Sequence, residues 1–171
     1  MLNKRNLDSD TMPVWRYPVI KGIDESKIAR AVIRDAPISF KEAYEVCKVL
    51  RGMKLEEAKD FLKKVLELKE SVPFVRYKLN IGHKRGLSSK WSKWKTPIGR
   101  YPIKVCRYLL KLLENAENNA VVKGLDASKL EIVHIAAHRS FYLKRWTPRA
   151  FGRSTPWFRT HTSVEVMLAE V

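Results

Sequence analysis

Between Glu70 and Glu114, and again between Glu131 and Glu165, the chain contains no acidic residue. The first gap holds eleven Lys and Arg and the second six, together half of the 34 in the sequence. The other 17 are balanced by 18 acidic residues elsewhere, so the formal net charge of +16 is concentrated in two segments. Segments of a single sign cannot neutralise themselves by folding back on each other. A net charge well above the roughly 2 to 8 of an ordinary small domain also calls for a polyanionic partner. Cations strung along a chain suit a phosphate backbone, whose counterions they release.

The chain is nonetheless able to fold. At 171 residues it is long enough for one core and short for two, and hydrophobic residues make up 45% of it. Cys47 and Cys106 are far apart and form no Cys-x-x-Cys pattern. They are expected to be buried free thiols in a reducing compartment. No apolar run has the length of a signal peptide core or a membrane span, which leads us to expect a soluble, cytoplasmic protein. Residues 1–22 carry Pro13, Trp15, Tyr17 and Pro18 without a periodic face and read as an extended arm. Within the arm, Met12 before Pro13 offers an alternative start to Met1.

Periodicity then marks out the elements. Ile28, Arg30 and Val32 alternate with Ala29, Ala31 and Ile33, a short strand ending before Pro37. Ser39 to Glu42 forms a capping box, so a helix is expected to begin there and run through Ala43, Val46, Cys47 and Leu50 to Gly52. A second helix carries Leu55, Ala58, Phe61, Leu62, Val65 and Leu66 on one face. From Pro102 to Gly124 a third shows Val105, Cys106, Leu109, Leu110, Leu113 and Ala116 at helical spacing. Residues 130–137 and 160–169 look like paired strands. About 20 residues separate them, far more than a hairpin loop needs. If the two arms keep pairing to a turn near Phe151 and Gly152, the hairpin projects on the order of 40 Å at ~3.3 Å per residue. Residues 73–101 read as a long irregular loop with room for a short strand. Like charge and few apolar contacts lead us to expect both this loop and residues 139–159 to be mobile in the free protein.

The basic segments also contain aromatic residues. Arg139, Lys144, Arg145, Arg149, Arg153 and Arg159 are interleaved with Phe141, Tyr142, Trp146, Phe151, Trp157 and Phe158. Guanidinium forks take phosphate and flat rings stack on unpaired bases, so the mixture suits irregular RNA better than duplex DNA. In the first segment Arg76, Lys78, Lys84, Arg85, Lys90, Lys93, Lys95 and Arg100 are phosphate candidates. Trp91 and Trp94 fit either stacking on nucleotides or docking onto the protein's own helices. His134 and His138, about 13 Å apart along a strand, make a poor joint metal site. No carboxylate cluster for a two-metal nuclease, no P-loop and no dinucleotide fingerprint occurs. No catalytic residue, metal or cofactor is therefore expected. The alternatives carried forward are an RNA-processing nuclease using His134, His138 or His161, and a chromatin-type duplex-DNA binder.

One stretch is specific enough to name a family. The run KRWTPRAFGRSTPWFRTHTSVEVMLAE resembles the C-terminal signature of the large-subunit ribosomal protein called L twenty-two in bacteria and L seventeen in eukaryotes. The match rests on Lys144, Arg145, Pro148, Arg149, Ala150, Gly152 and Arg153, then Arg159, Thr160, Thr162 and Ser163. The pieces ISFKEAYEVCKVLRGMKLEEAKDFL and LLENAENNAVVKGLD resemble the family's helices in the same order, and the likeness spans roughly residues 15 to 170. It implies an α+β fold with three helices packed on a small, mainly antiparallel sheet and a long protruding β-hairpin. On this likeness residues 23–171 form one domain, with a basic insertion at about 73–101 and the hairpin at about 132–167. Its arms would be 132–145 and 157–167, and Arg149, Ala150, Phe151, Gly152 and Arg153 would lie at a tip facing the nascent-peptide tunnel. Implied partners are large-subunit ribosomal RNA, neighbouring ribosomal proteins and the nascent polypeptide, with no membrane and no homo-oligomer. The insertion, and the bulk of Trp146, Phe151 and Trp157 where the bacterial hairpin is more uniformly basic, suit the archaeal and eukaryotic branch.

Overall fold

Alternation along three segments sorts their side chains onto the two faces of one sheet, and everything else is arranged around that sheet. The computed structural model describes residues 15, 17–20 and 22–170; most of the expected N-terminal arm, Met12 included, lies outside the described residues. In chain order the elements are β1 (Ile28–Ala36), α1 (Phe40–Leu50), α2 (Leu55–Leu66), β2 (Val72–Pro73), α3 (Leu87–Lys90), β3 (Gly99–Arg100) and α4 (Ile103–Val122). They are followed by β4 (Leu130–Leu143), β5 (Trp146–Pro148), β6 (Ser154–Pro156) and β7 (Arg159–Glu170). The main sheet is antiparallel in the order β1-β7-β4. Ala29 faces Leu168 and Ala31 faces Val166, and across the other edge Leu168 faces Ile132 and Val166 faces Ile135. All six belong to the core beneath the helices. The α+β class and the sheet agree with expectation.

The helices cover this face in two ways. Helix α4 lies on β1 and α1 lies on β4, whereas α2 packs chiefly against α4. Because α4 is held between sheet and helix it buries a wider stripe than the sequence suggested: Leu112 and Ala120 are buried and Leu110 is only partly so. Cys47 and Cys106 are free and buried, and desolvation pushes each thiol up to about 12. Between α1 and α2 the backbone is bonded to β4, with Gly52 N–H donating to Ile132 O and Ile132 N–H to Met53 O, both at 2.9 Å. Gly52 and Gly124 follow α1 and α4 with φ of +78° and +77°, the left-handed stops expected of them.

Two expectations need correction. Helix α1 begins where the capping box put it, but the Ser39 side chain makes no capping hydrogen bond and Glu42 faces Arg100 at 3.9 Å. Just before it Ile38 is buried against the core, and its carbonyl accepts from the Thr162 hydroxyl at 2.9 Å. The 73–101 insertion is also not short of apolar contacts. It is closed by the β2–β3 pair, contains the single-turn α3 that the sequence did not suggest, and buries Phe74 and Leu87. Gly99 lies so close to its neighbours that an added Cβ would stand 2.6 Å from Leu87 Cδ2 and 2.7 Å from Val72 O. The insertion is clamped by the carboxylate of Glu45 on α1, which is fully buried. It accepts the backbone N–H groups of Val75 at 3.1 Å, Arg76 at 2.8 Å and Tyr77 at 2.7 Å.

Removing that clamp orphans three amides at once. Glu45→Ala is expected to lower unfolding stability by about 3 kcal/mol or more in urea titrations, because each buried unpaired group costs about 1–3 kcal/mol. The exposed Glu56→Ala control should shift it by less than about 1 kcal/mol. Gly99→Ala should cost about 1–3 kcal/mol by overpacking against a backbone oxygen that cannot rotate away.

Candidate nucleic-acid interface

The hairpin grows out of the sheet without a break. Pairing of β4 with β7 continues through Tyr142 opposite Thr160 and Leu143 opposite Arg159, past a register shift between Arg139 and Tyr142. Beyond it Trp157 N–H donates to Arg145 O at 2.6 Å, and β5 pairs with β6 from Trp146 opposite Pro156 to Pro148 opposite Ser154. The chain reverses at Ala150–Arg153, where Phe151 and Gly152 both have positive φ, +57° and +65°, as a type I′ hairpin turn demands. Turn and ladder therefore run to the place the sequence suggested. From His138 to Arg159 every residue but Thr147 is exposed. Pro148 and Pro156 lack the N–H that a foreign strand would bond, and the neighbouring cations repel one, which protects a ladder with two open edges.

The sequence-derived candidates divide by environment. Lys144, Arg145, Trp146, Arg149, Arg153 and Arg159 all stand exposed on the hairpin, as do Ala150, Phe151 and Gly152 at its tip, with Phe151 93% accessible. Among the described residues no ion pair involves a cation of 139–159; Arg149 Nε donates to the Thr155 hydroxyl at 3.3 Å, and Arg139 lies 4.9 Å over the Phe40 ring. Trp146 and Phe158 meet edge to face at 5.7 Å yet remain exposed, so the aromatics are not a closed local core. Leu143, Arg145, Trp157, Phe158 and Arg159 line a groove of about 310 Å³ along the arm. In the insertion Trp91 and Trp94 turn inward: Trp91 meets Phe61 of α2 edge to face at 5.6 Å, and Trp94 lies 5.5 Å from Trp91. Lys93 caps the Trp94 ring, Lys84 the Tyr101 ring, and Lys90 pairs with Glu70 at 2.6 Å. Arg76, Lys78, Arg85, Lys95 and Arg100 are exposed.

Two features escaped the sequence. Lys104, Arg107 and Lys111 line a groove of about 560 Å³ on the outer side of α4. Their spacing of three and four residues places them on one helical face, and that spacing would have revealed the basic strip. The second lies on the sheet face away from the helices. There Glu165, 4% exposed, accepts the Trp15 indole N–H at 2.6 Å and lies 3.0 Å from His134 Nε2 and 3.1 Å from His138 Nε2. The two imidazoles, a poor joint metal site by their spacing along the strand, converge on one carboxylate oxygen, because they flank the residue paired with Glu165. His161 stands apart, stacked on Phe141 at 4.6 Å. Among the described residues no group of three His, Cys, Asp or Glu is placed to hold a metal ion. Burial raises the Glu165 carboxyl, but the hydrogen bonds from Trp15, His134 and His138 and the charge of His138 outweigh it, so the net shift is downward.

Fold and charge together define a class: a small α+β body that holds a long, basic, aromatic-rich β-hairpin away from its core. The family model described as ribosomal protein L22p/L17e matches residues 31–169, and the chain belongs to that family. The large ribosomal subunit protein uL22 of Staphylothermus marinus is 55% identical over 160 residues, covering 94% of this chain and 99% of that protein. Its counterpart in Sulfurisphaera tokodaii is 52% identical, covering 94% and 100%, and that of Methanopyrus kandleri 43%, covering 91% and 96%. The resemblance read from the hairpin signature is thereby established, in its archaeal form.

A carboxyl held below its ordinary 4.5 stabilises the fold above that value and ceases to do so as it protonates. Unfolding stability should therefore fall as pH drops below about 4.5, and Glu165→Gln should have a shallower acid limb in denaturant titrations between pH 3 and 6. Parallel limbs for the two proteins would remove Glu165 as the cause.

Proposed function

We propose that the chain is a structural constituent of the large ribosomal subunit that binds ribosomal RNA and extends its β-hairpin along the nascent-peptide exit tunnel. The observation that carries this reading is the row of exposed hairpin cations that have no carboxylate partner among the described residues, on an arm too long to serve the protein's own core. Phosphate neutralisation supplies affinity, and the shape of the arm supplies position. Residues 23–171 act in this reading as one domain, with 73–101 and 132–167 as its extensions. The arm carries Arg149, Ala150, Phe151, Gly152 and Arg153 to the tunnel wall, where they meet the nascent polypeptide. Neighbouring ribosomal proteins are the other partners, the protein works as a single copy in the cytoplasmic ribosome, and it performs no catalysis. His134 and His138 have a structural task on Glu165, which weakens the nuclease alternative.

The test is sedimentation of the tagged protein with large subunits in sucrose gradients at moderate and then high salt. Retention through the high-salt wash is expected; release at moderate salt, or migration with free RNA, would return the processing and duplex-DNA readings. Replacing Arg145, Arg149 and Arg153 by Gln should flatten the dependence of log K on log salt for large-subunit RNA by roughly 2 to 3, at about 0.7–0.9 per phosphate contact.

A further inference from the structure

The groove between α1 and the start of the insertion is built unlike the rest of the basic surface. Phe40, Tyr44 and Tyr77 form a trio of touching rings, with centroids 5.6 to 6.4 Å apart. The Arg76 guanidinium lies over two of them, 5.3 Å from Tyr44 and 5.6 Å from Tyr77, and the residue is exposed. Lys41 stands 5.8 Å over Tyr77, and Arg139, at the root of the hairpin, covers Phe40. The adjoining groove, about 280 Å³, has Phe74 and Ile81 in its lining and the 85% exposed Leu79 beside them. Its cations are Lys41, Arg76 and Arg100, against the single carboxylate of Glu42. The platform is pre-set, because Glu45 fixes the backbone of residues 75–77 through three hydrogen bonds.

The geometry points to a seat for one unpaired RNA nucleotide, its base laid on the open face of Arg76 beside Tyr77 and its phosphate among Lys41 and Arg100. This rests on the proposal that the protein binds ribosomal RNA. Duplex RNA offers phosphates but keeps its base faces stacked inside, and so would leave the planar guanidinium and the apolar lining unused. An acidic peptide would satisfy the cations and equally leave the flat surface empty. A splayed nucleotide uses all three, since it is an anion with a polar-edged, apolar-faced ring.

The test uses the full chain bound to large-subunit RNA. Ultraviolet cross-linking followed by peptide mapping should join Tyr77 to a nucleotide that chemical probing finds unpaired in the free RNA. Arg76→Lys keeps the charge and loses the plane. It should bind that RNA about tenfold more weakly with an unchanged salt slope, bind duplex RNA as the parent does, and keep the parent's thermal unfolding. Tyr77→Leu, which keeps apolar bulk, should lose the cross-link. Cross-links confined to the hairpin, together with parental affinity in Arg76→Lys, would overturn the assignment while leaving the ribosomal reading intact. A chain that does not sediment with large subunits would instead sink that reading.

Discussion

The structure depends on one long antiparallel ladder, that of β4 with β7. Strand β7 is the central strand of the sheet, and from Thr162 to Ala169 every one of its residues is buried. Its first residues belong to the exposed arm. The same hydrogen-bonded pair is therefore core at one end and projecting hairpin at the other, and no linker separates the two. An arm of that length has almost no apolar burial to hold it. It keeps its shape because the pairing is started by a segment that has a great deal.

That arrangement also resolves a conflict between charge and folding. The cations of the acid-free segments cannot be placed inside a core, and a chain with +16 net charge gains by keeping them apart. The hairpin spreads six of them along its length. The insertion follows the opposite strategy, as its cations ring a segment anchored by Phe74, Leu87, Trp91 and the Glu45 clamp. One basic segment is thus held out by pairing and the other held down by packing.

Much of this was legible from periodicity. The three long helices and strands β1, β4 and β7 follow from local spacing, because the residues that decide them are neighbours in sequence, whereas the hairpin and its tip came from the family resemblance. Glu45 and Glu165 were not legible, since their partners are other kinds of group far away: amides some 30 residues on for Glu45, and an indole 150 residues distant for Glu165. Trp91 and Trp94 could be left only as stacking or docking candidates. The decision belonged to Phe61 on α2, whose position relative to the insertion no local pattern encodes. The capping box misled for a related reason, as Glu42, which it would turn back to the start of the helix, lies beside Arg100 far along the chain.

The register shift between Arg139 and Tyr142 gives the arm the mechanics of a lever. The bulge lies at its root, beside the stacked pair of Phe141 and His161, and the tip is about 35 Å away at ~3.3 Å per residue. A swing of about 5° at that fulcrum displaces the tip by roughly 3 Å, the width of a hydrogen bond. Small repacking near residues 139–142 is thereby magnified into a change of aim at Phe151, and the flat contact of one ring on another becomes the sight along which the hairpin points.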